Sequence, residues 1–238
     1  MTLIVSVRTP VGIVVAADRL VQADVEFTEA DGSTSRYPVA SQFEATKLHH
    51  FQNGVTVGFY GRSIPGLAGG LLNILANCPV TATEGMEDSV RTILRSTIDL
   101  GLHLPSKSDV SGLHISGFLT DTLPCTVTVP VYQSMQSDVP CTGSYGYEFS
   151  PRNGQAALLE KMWNAPGLKQ PDPSEFSDVR TAIDFATFFV RTVGTVQKFG
   201  TNIPSVGTNI DVRLIRPDRT CQEIPERPLT YERDHSTL

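Results

Sequence analysis

Short runs of apolar and β-branched residues, separated by turn residues, open the chain. Residues 2–8 form the first run and residues 12–18 the second, with Pro10 between them. This arrangement predicts a β-hairpin. The positions 13–17 are apolar without alternation, which is typical of a strand covered on both faces. Residues 19–45 are mostly polar and predict an insertion or a long hairpin.

Helical and extended periodicities alternate through the rest of the chain. Their order predicts an α+β protein in which two mainly antiparallel sheets lie face to face, with a helix pair on each outer side. Helices are predicted at 64–75, 84–102, 155–163 and 179–196, and further strands at 54–60, 113–118, 125–131, 139–142 and 210–215.

The length and composition favour one folded unit. The chain has 238 residues, of which 40% are hydrophobic and 18% charged, and no interior stretch has the composition of a long linker. We therefore expect a single domain over residues 1–224, followed by a polar C-terminal tail over residues 225–238.

Charge and cysteine usage exclude several classes of partner. The formal net charge is -6, and nucleic acids and anionic membranes need clustered Lys and Arg that this chain lacks. No apolar run approaches the ~18 residues of a membrane span, and the first residues do not form a secretory signal. The four cysteines are widely spaced, which predicts a cytoplasmic protein with neither a zinc site nor a disulfide framework. The neighbouring His49 and His50 would point to opposite faces of a strand, so no metal site is expected.

The second residue has the chemistry of a nucleophile. Met1 precedes Thr2, and an initiator methionine is normally removed when the next residue is this small. The threonine would then have a free α-amino group with a pKa of about 7.7–8.0. Such an amine accepts the proton of the neighbouring hydroxyl, so nucleophile and general base belong to one residue.

Two further motifs have a characteristic spacing. Asp18 follows it by sixteen positions within Ala16-Ala17-Asp18-Arg19, and Lys47 comes eleven positions before Gly58-Phe59-Tyr60-Gly61. The set resembles the motifs of proteasome-type β subunits, and residues 2–8 look especially like the start of the bacterial HslV-like peptidases. The sequences Gly143-Ser144-Tyr145-Gly146 and Ser205-Val206-Gly207 resemble two further glycine-containing turns of that family, so the resemblance covers about residues 2 to 216.

The resemblance implies a four-layer αββα sandwich of the N-terminal-nucleophile hydrolase type. It also implies a threonine peptidase that forms a homo-oligomeric ring, needs no cofactor and cleaves peptides or unfolded proteins in an enclosed chamber, and it leaves an ATPase partner undefined. The resemblance implies catalytic roles for Thr2, Asp18, Lys47, Gly61 and Ser144. It implies substrate binding by Phe59 and Tyr60, and supporting roles near the site for Asn202 and Ser205. We expect the Thr2 Oγ to Lys47 Nζ distance to be roughly 2.7–3.5 Å.

The sequence also departs from that family. The segment between Asp18 and Lys47 is longer than usual, Arg62 stands where a second glycine is common, and Asn202 stands where many members have aspartate. Two other functions therefore stay open: a catalytically silent, ring-forming structural subunit, and a small-molecule amidase on the same fold.

Overall fold

The computed structural model describes residues 3–20, 23–39, 44–60, 75–99, 112–131, 138–150, 171–198 and 206–225. Within these ranges every strand pairing is antiparallel, and the strands form three sheets. The strands are β1 (Ile4–Thr9), β2 (Gly12–Asp18), β3 (Ala23–Thr28), β4 (Thr34–Val39), β5 (Leu48–His50), β6 (Thr56–Tyr60), β7 (Gly112–Thr120), β8 (Leu123–Pro130), β9 (Gly146–Phe149), β10 (Ile210–Ile215) and β11 (Cys221–Ile224). The long helices are α1 (Met86–Asp99) and α2 (Val179–Lys198), and Pro173–Glu175 forms a 3-10 turn.

The first sheet is built around the predicted N-terminal hairpin, which is confirmed. Its strand order is β11-β10-β2-β1-β9, and Ile4 pairs with Ala17 while Thr9 pairs with Gly12. Every residue of β1 and β2 is buried, as the apolar run without alternation predicts. Because β10 pairs along the other edge of β2, segments that are far apart in the sequence are joined in one sheet.

The second sheet has the order β5-β6-β7-β8, and the third consists of β3 and β4 alone. The β3–β4 pair confirms that the polar segment after β2 contains a hairpin, with Thr28 opposite Thr34 at its turn. Asp31 stabilises this turn by accepting the Ser33 backbone N–H at 2.9 Å.

Each of the two larger sheets is covered by one long helix of the described chain. Helix α2 packs on β1, β2 and β10, and helix α1 packs on β7. Ala182, Ala186, Phe189, Val190 and Val193 form the buried stripe of α2, which has the spacing expected of an amphipathic helix. Apolar side chains of both sheets, including those of Ile4, Ile13, Val15, Leu48 and Tyr60, meet in a third cluster.

A buried polar network also lies between the two larger sheets. The Thr126 hydroxyl is 3.1 Å from the hydroxyls of both Ser6 and Ser116. Beside it, the Thr128 hydroxyl donates to Glu148 Oε1 at 2.7 Å and lies 3.1 Å from His114 Nδ1. Polar groups buried away from water need such partners, so this network constrains how the two sheets face each other.

The predicted four-layer αββα sandwich is wrong. The described residues form three antiparallel sheets rather than two, and one long helix rather than a helix pair contacts each of the larger sheets. The extra sheet arises because β3 and β4 pair only with each other. The helix predicted at 155–163 lies outside the described ranges, as does most of the helix predicted at 64–75. Residues 75–77, which are described, are helical.

Three strand assignments also differ from the prediction. Residues 139–142 are not a strand, and Pro140 lacks the N–H that a sheet ladder needs. The pairing with β1 is made instead by β9, four residues further on, and β11 adds an unpredicted edge strand. Among the described residues, no helix combines the length and apolarity needed to cross a membrane.

Candidate active site

Asp18 is the last residue of β2 and is held in place by the start of the chain. Its side chain is fully buried, and its Oδ1 accepts the Leu3 backbone N–H at 2.8 Å. In return the Asp18 N–H donates to the Leu3 carbonyl at 3.3 Å. The residue that follows Thr2 in the sequence is therefore fixed against the carboxylate.

The second carboxylate oxygen of Asp18 accepts three further hydrogen bonds. Lys47 Nζ lies 2.9 Å away, and the N–H groups of Leu20 and Gly207 lie 3.2 Å away. A Cβ atom on Gly207 would come within 2.8 Å of the Leu20 Cβ, so glycine permits this close backbone approach. The buried charge of Asp18 is thus balanced by one cation and three backbone dipoles.

Lys47 lies immediately before β5 and reaches Asp18 across the polar segment of the chain. Its Nζ also donates to the Leu20 carbonyl at 2.6 Å, and the side chain is only 11% exposed. Burial lowers the pKa of Lys47, and the neighbouring Asp18 carboxylate opposes that shift. The predicted association of Asp18 with Lys47 is therefore present as a buried ion pair.

Hydrogen bonds near the surface connect the three segments that position this pair. The Arg19 N–H donates to the Asn209 carbonyl at 3.0 Å, and the Ala45 N–H donates to the Arg19 carbonyl at 2.9 Å. The Asn209 side-chain amide donates to the Glu44 carboxylate, which also lies 4.0 Å from Arg19 Nε. Arg19 and Glu44 are each about 40% exposed (41% and 40%), so charged groups stand at the surface next to the ion pair.

Ser150 is a site residue that the sequence analysis missed. Its hydroxyl accepts the Ile4 N–H at 2.8 Å, its own N–H donates to the Ile4 carbonyl at 2.8 Å, and it is 3% exposed. Asp18 and Ser150 thus hold two successive residues, Leu3 and Ile4. Ser150 directly follows β9, and its position is evident only from the pairing of β9 with β1.

The structure does not bring Ser144 to the ion pair. The Ser144 N–H donates to the Pro124 carbonyl at 2.9 Å, and Gly146, two residues later, pairs with Arg8. Arg8 is five strand positions beyond Leu3, a separation of roughly 16 Å at about 3.3 Å per residue. The glycine-serine motif therefore lies towards the far end of β1 from Asp18.

The two predicted substrate-binding residues differ in their surroundings. Tyr60 is 2% exposed and belongs to the cluster between the sheets, and burial together with the Glu148 carboxylate raises its pKa. Phe59 is only partly buried and packs against the core beneath α1. Of the two, Phe59 alone keeps appreciable surface for a ligand.

Four predicted site residues lie outside the described ranges: Thr2, Gly61, Asn202 and Ser205. The expected distance from Thr2 Oγ to Lys47 Nζ falls there too. His49 is in contact with the Phe51 ring, their centroids being 4.8 Å apart. In the described ranges no cluster of three or more His, Cys, Asp or Glu side chains is arranged to bind a metal ion.

Two solved structures show which fold places these residues together. Anbu (ancestral beta-subunit) from Yersinia bercovieri superposes with a TM-score of 0.56 and 14% identity, covering 95% of this chain and 88% of that chain. The chain has the fold of Anbu. The Gly-1 mutant of Anbu from Hyphomicrobium sp. strain MC1 superposes with a TM-score of 0.56 and 13% identity, over 98% of this chain and 89% of that chain. Neither a protein-family model nor a curated protein matches the sequence.

The likeness to Anbu corrects the family named from the sequence motifs. Anbu is a proteasome-like family distinct from the proteasome-type β subunits and HslV-like peptidases that the motifs resemble, so that more specific resemblance is wrong. The physical reason is that the motifs consist of a few short segments, which are too little sequence to separate families that share a fold. At 14% identity, the Anbu structures establish the fold alone.

Proposed function

We propose that this chain is an N-terminal-nucleophile hydrolase that cleaves peptide bonds with Thr2 after removal of Met1. The observation that supports this most strongly is the buried Asp18–Lys47 pair at 2.9 Å, joined by the 2.8 Å bond from the Leu3 N–H to Asp18. The residue that follows Thr2 is thereby attached to the same carboxylate that holds the lysine. This attachment supports the proposal that the Lys47 cation acts on the first residue of the processed chain.

In the proposed reaction, the Thr2 hydroxyl attacks the carbonyl carbon of the substrate. Its proton passes to the free α-amino group, whose ordinary pKa of about 7.7–8.0 leaves an appreciable fraction neutral at physiological pH. The protonated amine then gives this proton to the departing amine of the substrate, and an acyl-threonine ester forms. Water, deprotonated by the same amine, hydrolyses the ester and regenerates the hydroxyl.

Lys47 supplies electrostatic stabilisation in this proposal. An ammonium group near the Thr2 oxygen lowers the cost of negative charge developing on it during attack. Burial favours the neutral amine of Lys47, so Asp18 is needed to keep the proton on it. We assign to the Gly61 N–H the role of donor to the developing oxyanion, because glycine allows close approach of a substrate backbone.

Ser150 is proposed as a positioning residue instead of Ser144. Its hydroxyl accepts the Ile4 N–H and so keeps the first residues of β1 in register with β9. A nucleophile displaced by about 1 Å loses much of its rate advantage. Precise attachment of Leu3 and Ile4 therefore matters to Thr2, which precedes them.

We further propose that residues 1–224 form one domain and that copies assemble into a ring. The pairing of β2 with β10 supports a single domain, because early and late segments share one sheet. The description of the Yersinia bercovieri protein as an ancestral beta-subunit supports assembly. Enclosure of the site would select unfolded chains and peptides as substrates.

Hydrolysis of fluorogenic peptides by matched variants tests the proposal. Thr2→Ala should abolish turnover, while Thr2→Ser should retain part of it because serine keeps the hydroxyl and the amine. Thr9→Ser, a conservative change at the far end of β1, serves as the control for folding. Unchanged turnover in Thr2→Ala would refute the threonine mechanism, and turnover of small amides without any peptide cleavage would assign the amidase function instead.

A further inference from the structure

Two cysteine side chains that the proposed reaction does not use belong to the same apolar cluster. Cys125 lies in β8 and is fully buried, whereas Cys141 is partly buried at the edge of the core beneath α1. Both are reduced in this structure, so the pair is a dithiol with one protected and one accessible sulfur.

The backbone places these cysteines at the limit of disulfide geometry. Gly143 forms a bridge with Cys125, so Cys141, two residues earlier, is its diagonal neighbour. Diagonal neighbours are about 7–8 Å apart, and disulfides usually join Cα atoms about 4.4–6.8 Å apart. The segment 138–145 belongs to none of the strands, and a shift of about 1–2 Å in this connection would bring the sulfurs into bonding geometry.

A cavity of about 360 Å³ opens onto the accessible cysteine. It is lined by Cys141, Val139 and Pro140 and by the charged residues Glu87, Arg91 and Asp138. Arg91 is held there by hydrogen bonds to Asp138 at 3.1 Å and to Asp88 at 2.6 Å. The cavity thus combines a thiol with a fixed guanidinium and two carboxylates, which suits a small zwitterionic molecule.

We propose that Cys125 and Cys141 are a thiol–disulfide exchange site, oxidised by a low-molecular-weight disulfide of the amino-acid or peptide class that enters this cavity. The proposal is independent of the proposed hydrolase activity, because neither cysteine contacts Asp18 or Lys47 among the hydrogen bonds and ion pairs of that site. Cys141 is the attacking residue, since it faces the cavity and Cys125 does not.

The exchange proceeds in two balanced steps. The Cys141 thiolate attacks one sulfur of the small disulfide, which gives a mixed disulfide on Cys141 and releases one small thiol. The Cys125 thiolate then attacks the Cys141 sulfur, forms the Cys125–Cys141 bond and releases the second thiol. Two protein thiols are oxidised, one small disulfide is reduced to two thiols, and excess small thiol reverses the reaction.

The surroundings predict how this reaction depends on pH. Desolvation and the Glu87 carboxylate raise the pKa of Cys141, and Arg91 partly opposes them. Since the thiolate is the nucleophile, the oxidation rate should rise about tenfold per pH unit through the neutral range. Arg91→Gln should slow it roughly two- to fivefold, the effect of one exposed ion pair.

Incubation of the folded chain with oxidised glutathione, followed by Asp-specific proteolysis without reductant, tests the proposal. Cleavage before Asp121, Asp138 and Asp172 separates the cysteines into fragments 121–137 and 138–171. We expect these fragments to remain joined until a reductant is added. The joined pair should be lost in Cys141→Ser and in Cys125→Ser, and retained in Cys78→Ser and Cys221→Ser.

Three results would overturn the proposal. The first is that the two fragments stay separate under conditions in which oxidised glutathione has already modified Cys78 or Cys221. The second is a disulfide that joins Cys125 or Cys141 to either of those residues. The third is equal formation of the linked pair in protein unfolded with urea, because the folded arrangement would then give no advantage. Hydrolase activity, measured in parallel, is expected to be the same in Cys141→Ser and wild type.

Discussion

Leu3 and Asp18 exchange two hydrogen bonds, one in each direction. The Leu3 N–H donates to Asp18 Oδ1 at 2.8 Å, and the Asp18 N–H donates to the Leu3 carbonyl at 3.3 Å. Asp18 therefore has two duties, fixing the beginning of the chain and holding Lys47.

Neutralising Asp18 should destabilise the protein. In Asp18→Asn the buried Lys47 loses its counter-charge, and removing one partner of such a pair costs about 3–5 kcal/mol of unfolding free energy. Urea denaturation measures this loss. Asp218→Asn is the matched control, because Asp218 accepts the Thr220 N–H on an exposed turn, and we expect its effect to be small beside that of Asp18→Asn.

The double variant Asp18→Asn with Lys47→Met provides a second check on the same pair. If the two charges stabilise each other, its loss of stability should be smaller than the sum of the two single losses. Strict additivity would contradict an interaction between them.

Peptidase activity should depend on pH through two groups. The α-amino group of Thr2 must be neutral, which sets a rise near pH 8. Lys47 must be charged, and because burial lowers its pKa below the usual 10.5, activity should fall at a lower pH than for an exposed lysine. Lys47→Arg keeps the charge to higher pH, so its residual activity should lack the alkaline fall; a fall at the same pH as in the wild type would exclude Lys47 as its cause.

Two serines give opposite expectations. Ser150→Ala leaves the buried Ile4 N–H without its acceptor, and we expect activity to drop at least about tenfold, the kinetic equivalent of 1.4 kcal/mol. Ser144→Ala is the matched control, since only its backbone N–H bonds to Pro124. Steady-state hydrolysis of one fluorogenic peptide compares them, and a larger effect of Ser144→Ala would refute the placement of Ser150 at the site.

Acid stability should depend on His114. This side chain is fully buried, and burial together with nearby Arg8 lowers its pKa to about 3 from the usual 6.5. Between about pH 3 and pH 6.5 the unfolded chain therefore binds more protons at His114 than the folded chain does. The contribution of neutral His114 to stability is fully present above about pH 6.5 and declines as the pH falls towards 3. His114→Gln should flatten this part of a pH series of urea midpoints, and an unchanged slope would contradict the assignment.

The sequence pattern predicts those parts of the fold that depend on local periodicity. The buried hairpin of β1 and β2 follows from the uninterrupted apolar positions 13–17, and helix α2 follows from its apolar stripe. The separate β3–β4 sheet and strand β9 do not follow, because they depend on which distant segment lies alongside. This dependence on partners is general for strands, whose propensities are set by context.

Some features of the candidate site could likewise be predicted from the sequence, and others could not. The family resemblance carried by Asp18 and Lys47 implied that they act together, and the structure joins them in an ion pair. The choice between Ser144 and Ser150 depends on the register of β9 against β1, where Gly146 pairs with Arg8 and Phe149 with Val5. A short glycine-serine motif has no information about that register, which places Gly146 opposite Arg8 and Ser150 beside Ile4.

Mass spectrometry of the protein treated with a peptide epoxyketone tests the central claim most directly. We predict that the intact chain has lost Met1 and gains one equivalent of the probe, and that fragmentation locates the adduct on Thr2. In the Lys47→Met variant this labelling should be much slower. Retention of Met1 in a fully active protein, or an adduct on any residue other than Thr2, would contradict the account.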